Sequence, residues 1–190
     1  VLQLAAGAAA RAGEVDRAVQ LARSAVTAAP DDAARGAART VLARHLLGAD
    51  DVGNALSEAT TALAELSPDP SPARAWALAT YARAALNTNR EDEAVEVATR
   101  ARQVAREVGD VAAESDALTT AALSERLDHH RSADLLTEAL ARVARSGDGA
   151  AELRIHYNLA TTLYEAGDLD RTAEAVAAGT RRADALGMTW

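Results

Sequence analysis

Four alanines, Ala43, Ala82, Ala121 and Ala160, recur at equal steps of 39 residues, and a second set, Ala55, Ala94, Ala133 and Thr172, follows each by twelve. A fixed period of this size requires one supersecondary unit stacked on copies of itself, with a hydrophobic core shared between neighbours. The chain is therefore expected to be a solenoid whose function lies on a long surface rather than in a deep active site.

Composition agrees with a helical solenoid built from small residues. Of the 190 residues, 49% are apolar, yet aromatics make up only 3% and phenylalanine is absent. Alanine, roughly a quarter of the chain, takes their place; it favours helix and lets backbones approach closely. Absence of cysteine excludes disulfides, thiolate catalysis and cysteine-based zinc sites, and is neutral on compartment. Every basic side chain is an arginine, so no P-loop or Schiff-base lysine exists.

A net charge of −8 argues against direct nucleic-acid binding, which draws on clustered positive charge. The apolar opening, residues 1–10, lacks a basic leader and runs into Arg11, so it does not read as a signal peptide. No stretch reaches the ~20 apolar residues that a membrane span needs, and the expected location is the cytoplasm.

Small residues spaced four then three mark the second helix of each unit. They are Ala18, Ala22 and Ala25, then Ala55, Ala59 and Ala62, then Ala94, Ala98 and Ala101. Such spacing puts all three on one face of a 3.6-residue helix. Looser copies follow at Ala133, Thr137 and Leu140 and at Thr172, Val176 and Gly179. Pro30, the run from Ser67 to Pro72, and Gly109, Gly147 and Gly187 close successive units, while Asp31, Ser71, Asp110, Asp148 and Asp168 are placed as N-caps. The pattern predicts ten helices of about sixteen residues, in units of approximately 1–30, 31–70, 71–109, 110–147 and 148–190.

The segment Asn158-Leu159-Ala160-x-x-Leu163-x-x-x-Gly167-Asp168-Leu169, with Thr172 after it, resembles a tetratricopeptide repeat, as do Gly13, Ala18, Ala25 and Pro30 in the first unit. The resemblance implies an all-α, right-handed superhelix of about five hairpins whose first helices line a concave groove. The longer period, with endings such as Ala105-Arg106-Glu107-Val108-Gly109-Asp110, resembles the helical-repeat sensor arm of large ATP-binding LuxR-class transcription regulators. That likeness implies a signal-receiving module between an ATPase switch and a DNA-binding domain.

Three local departures carry expectations of their own. Asp134 stands where other second helices carry an apolar residue, which predicts a rotated helix burying Leu135, Leu136 and Leu140. The turn Gly48-Ala49-Asp50-Asp51 reads as irregular. The array also reads as excised from a larger protein, with Trp190 starting a further unit and packing back on the last helix or on a neighbour, and with dimerisation through uncapped ends.

Candidate chemistry is sparse. His129 and His130 are adjacent and so point to different sides of a helix, without a third ligand at helical spacing. His45 and His156 are isolated on first helices, and the acidic runs lie at helix starts, where the macrodipole favours them. No nucleophile elbow, phosphate loop or metal-binding helix occurs, so the expectation is a protein without catalytic residues, cofactor or metal.

The informative set is the projected inner surface, comprising Gln3, Arg11, Arg44, Trp76, Arg83, Asn87, Ser115, Leu118, Glu125, Arg126, Arg154, Tyr157, Asn158 and Tyr164. From it Arg44, Trp76, Arg83, Asn87, Arg126, Arg154, Tyr157, Asn158 and Tyr164 are the candidate binding residues. Arginine offers a fixed fork of donors to carboxylates and phosphates, and Trp or Tyr supplies rigid contact area. The partner implied is a protein or peptide, acidic in character, or a small anionic effector. Two alternatives stand beside it. Those arginines could instead pair with carboxylates on adjacent helices, and the module could be a constitutive, co-chaperone-like scaffold rather than a sensor.

Overall fold

A computed structural model of the chain describes residues 1–125 and 128–187. Among these residues ten helices follow one another as α1 (Leu2–Arg11), α2 (Val15–Thr27), α3 (Asp32–Gly48), α4 (Val52–Glu65), α5 (Pro72–Asn87), α6 (Glu91–Val108), α7 (Val111–Leu123), α8 (His129–Val143), α9 (Gly149–Glu165) and α10 (Leu169–Leu186). They pair into five hairpins. Each helix packs on the one before and the one after it. The odd-numbered helices also pack on one another, α3 on α5 and α5 on α7 most extensively, whereas no comparable contact joins even-numbered helices. That asymmetry puts the odd helices on the inside of the curved stack.

All five anticipated N-caps form. The carboxylate of Asp31 accepts from Ala34 N–H at 2.7 Å, that of Asp110 from Ala113 at 2.9 Å, and those of Asp148 and Asp168 from Ala151 and Arg171 at 3.1 Å. Ser71 Oγ accepts from Arg74 N–H at 3.2 Å, directly before a proline at the first helical position. Arg74 also turns back to the end of α4, donating to the Leu63, Leu66 and Ser67 carbonyls at 3.1–3.4 Å. A cation there satisfies carbonyls that no glycine cap serves.

The turn at Gly48-Ala49-Asp50-Asp51 is regular, contrary to the sequence expectation. Asp50 (φ 60°) occupies the left-handed position that Gly13 and Gly167 (φ 77°) hold in other hairpins, and Asn89 (φ 60°) does the same. In each case the next residue donates to the carbonyl five residues back at 2.9–3.0 Å: Glu14 to Ala9, Asp51 to Leu46, Arg90 to Ala85, and Asp168 to Leu163. Asp and Asn tolerate this conformation better than other side chains, so one turn is written with three residue types.

Between the hairpins the core is mostly alanine. Ala22, Ala43, Ala55, Ala59, Ala62, Ala82, Ala94 and Ala101 are all fully buried, while Ala121 is half-buried. Leu42, Leu46, Leu47 and Leu56 join the first three hairpins, and Leu118, Leu136, Ile155 and Leu163 the last two. The fourth hairpin departs as expected in part. Leu136 is wholly buried and Leu135 and Leu140 pack against the core, but Thr137 turns outward with Asp134. In exchange Ala139 and Val143 enter the interior, and two hydroxyls tie α7 to α8, Ser115 donating to the Ala139 carbonyl and Ser132 to the Ala122 carbonyl, each at 2.8 Å.

Arginine–carboxylate networks brace these contacts. Arg39 of α3 reaches Glu58 at 2.6 Å and Glu65 at 3.1 Å on α4. Glu114, nearly buried on α7, accepts from Arg106 at 2.5 Å and from Arg142 at 2.9 Å, and Glu138 binds Arg102 and Arg142, each at 2.7 Å. Within the described residues no helix is long and apolar enough to cross a membrane.

Two outcomes follow for stability. Ala101, sealed among Leu78, Ala79 and Ala117, has no room for a longer side chain. Ala101→Leu should destabilise by about 1–3 kcal/mol in urea unfolding. Burial holds the imidazoles of both His45 and His156 below the ordinary histidine pKa, with Arg44 adding to the effect at His45. Among the described residues His45 Nε2 and His156 Nδ1 also lack hydrogen-bond partners. Because the unfolded chain then binds protons more readily, stability should fall as pH drops through about 6.5. Thermal melts of His45→Leu across pH 5–8 should show a flatter decline than the parent.

Candidate functional site

Two positions seven residues apart on the inner helices recur with the repeat. One is filled by Arg44 and Arg83, then by Ala122 and Thr161; the other by Ala37, Trp76, Ser115 and Arg154. Seven residues are nearly two helical turns, so both positions lie on one face. In the first position two large side chains are followed by two small ones, and in the second small and large side chains alternate.

The structure brings four of the candidates together. The Arg44 guanidinium stacks on the Trp76 ring, its carbon 3.9 Å from the ring centroid, close enough for a cation–π contact. Arg44 also stands 4.0 Å from Asp148, the N-cap of α9, three hairpins further along the chain. Arg154 of α9 donates to Asp116 of α7 in an ion pair. Arg83 lies between them on α5, within electrostatic reach of Arg154, Asp116 and Arg44.

Asp116 is the hub. It is 8% exposed. Burial alone would raise its pKa, but Arg154, Arg83 and Arg44 outweigh it and hold the carboxyl below its ordinary value. Arg83 experiences the opposite balance. Burial, reinforced by Arg154 and Arg44 and only partly offset by Asp116, pushes its pKa down to about 10. Arg83 is half-buried as a residue and, among the described residues, its guanidinium makes neither a hydrogen bond nor an ion pair. The arginines at the α3/α4 and α6/α7/α8 contacts differ, since Arg39, Arg102, Arg106 and Arg142 each touch a carboxylate.

The other candidates lie apart. Asn87 is exposed and Asn158 half-buried, and neither makes a hydrogen bond among the described residues. Tyr157 and Tyr164, 63% and 66% exposed, line a shallow cleft of about 280 Å³ with Ala160, Thr161, Thr172 and Val176. In the repeat register Tyr157 corresponds to Leu118, Ala79 and Thr40, all buried beneath the following hairpin, so these tyrosines belong to the end of the stack rather than to the arginine cluster. Leu118 and Ser115 belong to the interior for the same reason, contrary to their projection onto the groove. Arg126 and Trp190 lie outside the described residues.

A second hollow, of about 490 Å³, is lined by Leu123, Glu125, His129, Ser132, Thr162 and Glu165, with His129 Nδ1 3.7 Å from Glu165. Among the described residues no group of three or more His, Asp or Glu side chains could hold a metal ion. Asp116 and Asp148 were not on the sequence-derived surface. Asp116 sits one residue after the Trp76/Ser115/Arg154 stripe and meets the arginines through its ion pair with Arg154.

No protein-family model and no curated protein sequence matches this chain. Solved structures do. A Rap protein crystallised in complex with competence and sporulation factor superposes with a TM-score of 0.82 at 13% identity, over 98% of this chain and 54% of the other. BtubC from P. vanneervenii gives 0.68 at 17% identity, covering 100% and 81%. The TPR-like repeats of a putative kinesin light chain from Podosopora anserina give 0.61 at 18%, covering 96% and 92%. The fold is a TPR-like α-solenoid. At these identities the likeness concerns the fold alone, and the chain spans about half the length of the Rap protein.

Asp116→Asn removes the buried counter-charge of Arg154, Arg83 and Arg44 and should cost about 3–5 kcal/mol at pH 7. A depressed carboxylate pKa contributes stability that is complete above the unfolded value of about 3.9 and is lost as pH falls through the lower folded value. In urea unfolding the gap between parent and variant should therefore stay constant from pH 7 to about pH 4.5 and narrow at pH 3.

Proposed function

We propose that this chain is a non-catalytic interaction module that holds a segment of a protein or peptide partner along its inner, odd-helix surface. The observation that carries the reading is the convergence of Arg44, Trp76, Arg83 and Arg154 from three different inner helices onto one site. A stacked guanidinium, an indole and a guanidinium without a direct partner are the groups that dominate binding energy at protein interfaces. Their fixed helices leave little to reorganise on binding.

The wider setting we propose is the signal-receiving arm of a larger cytoplasmic regulator of the LuxR class, supported by the 39-residue period and the style of the unit ends. In that setting a bound partner favours one curvature of the stack, and small rotations per hairpin add along its length. The complex of a Rap protein with competence and sporulation factor supports a factor-binding role for a similar fold, and the same role is proposed for this chain. No catalytic step is assigned to it.

The test is selection from a random-peptide display library against the folded chain, with affinities of selected peptides measured by fluorescence anisotropy. Arg44→Ala combined with Arg83→Ala should weaken binding by at least about tenfold, the scale of losing charge-assisted hydrogen bonds. Undiminished binding by the double variant would place the partner elsewhere and overturn the reading.

A further inference from the structure

Charge in the inner cluster does not close. Three guanidinium groups, Arg44, Arg83 and Arg154, converge on the single buried carboxylate of Asp116, and that carboxylate is taken by Arg154. Arg44 has the Trp76 face and a carboxylate no nearer than 4.0 Å. Arg83 has no direct partner at all among the described residues. Arg83 is half-buried, and a charge partly withdrawn from water without pairing is costly, in a protein that is otherwise rich in carboxylates, with 28 Asp and Glu against 20 Arg. None of those acids is placed to bind Arg83.

We propose that Arg83, flanked by Arg44 and Arg154, is a receptor for one oxyanion, the carboxylate of an acidic side chain on the bound partner. The inference rests on the groove reading above and names the chemistry that the groove selects. Asp116 is the fixed counter-ion that holds Arg154, and Trp76 holds Arg44, so two cations stay in place while the third remains free to receive. The planar fork of Arg83 offers paired N–H donors that match a carboxylate.

This assignment makes an unusual prediction for the free protein. A guanidinium kept for a ligand is a liability in its absence, so Arg83→Met should fold with an unchanged circular dichroism spectrum and melt at the parent temperature or a few degrees above it. Sodium phosphate, used as a free oxyanion probe against sodium chloride at equal ionic strength, should raise the melting temperature of the parent by several degrees at tens of millimolar. Neither Arg83→Met nor Arg83→Gln should show that shift.

Among peptides selected on the parent chain, replacing the anchoring Glu or Asp by Gln or Asn should weaken binding at least about tenfold, and Arg83→Met should make acid and amide forms equal. A lower melting temperature for Arg83→Met and Arg83→Gln alike would make Arg83 a structural residue and overturn the proposal. Absence of any phosphate shift beyond that of chloride would overturn it as well. Peptides that bind the groove, lose affinity in the Arg44→Ala/Arg83→Ala variant and yet tolerate the amide replacement would overturn the acidic anchor while leaving the interaction module standing.

Discussion

Contact between alanine faces of neighbouring hairpins sets the distance between helices, and most other features follow from that distance. Ala43, Ala55, Ala82 and Ala94 are buried to the last methyl. Each contributes little transfer free energy, about 0.8 kcal/mol for a methylene-sized group. Their value is steric, since small side chains bring backbones close and let dispersion act over whole helix lengths. A core of this kind leaves little room for aromatic rings: Trp76 and Tyr81 pack against it only in part, and Tyr157 and Tyr164 stand exposed at the end of the stack.

Close helices also decide how charge is distributed. Long arginines cannot lie between alanine faces, so they reach along the edges of the hairpins and meet carboxylates from the next helix. At the α3/α4 and α6/α7/α8 edges each such arginine finds a carboxylate, with Glu65 and Glu114 as the shared acceptors. The inner surface uses the same device with one acid too few. Asp116 serves Arg154, and Arg83 is left as a cation in a partly desolvated place. The same packing that stabilises the stack thus presents positive charge within an acidic molecule, where low dielectric strengthens its attraction for an incoming anion.

Much of the architecture was legible because it is local. Asp31, Ser71, Asp110, Asp148 and Asp168 cap helices through bonds to residues three positions on, and the small-residue faces of α2, α4 and α6 need only a 3.6-residue period. Errors arose where a residue's role depended on a neighbour. Asp50 read as a flaw in its turn because Gly and Asp look unlike in sequence, although both satisfy the left-handed position. The helix face of Leu118 and Ser115 points to the groove in sequence, but both are buried in the structure. Asp134 is legible as a sign that α8 is rotated, whereas the hydroxyl bonds from Ser115 and Ser132 to carbonyls of the opposing helices are visible only in the structure.

The sequence by itself determined the repeat, the helices and their ends, since these rest on contacts within about five residues and on a period that survives in the order of the letters. It also placed Arg44, Trp76, Arg83 and Arg154 on inner helices. Only the tertiary structure decided that these four meet, that Asp116 joins them, and that Arg83 has no direct partner among the described residues. The physical reason is that the curvature of the stack brings the Arg44 guanidinium within 4.0 Å of the Asp148 carboxylate at the start of α9. That curvature sums small rotations at every hairpin contact, and no single segment of the chain encodes the sum.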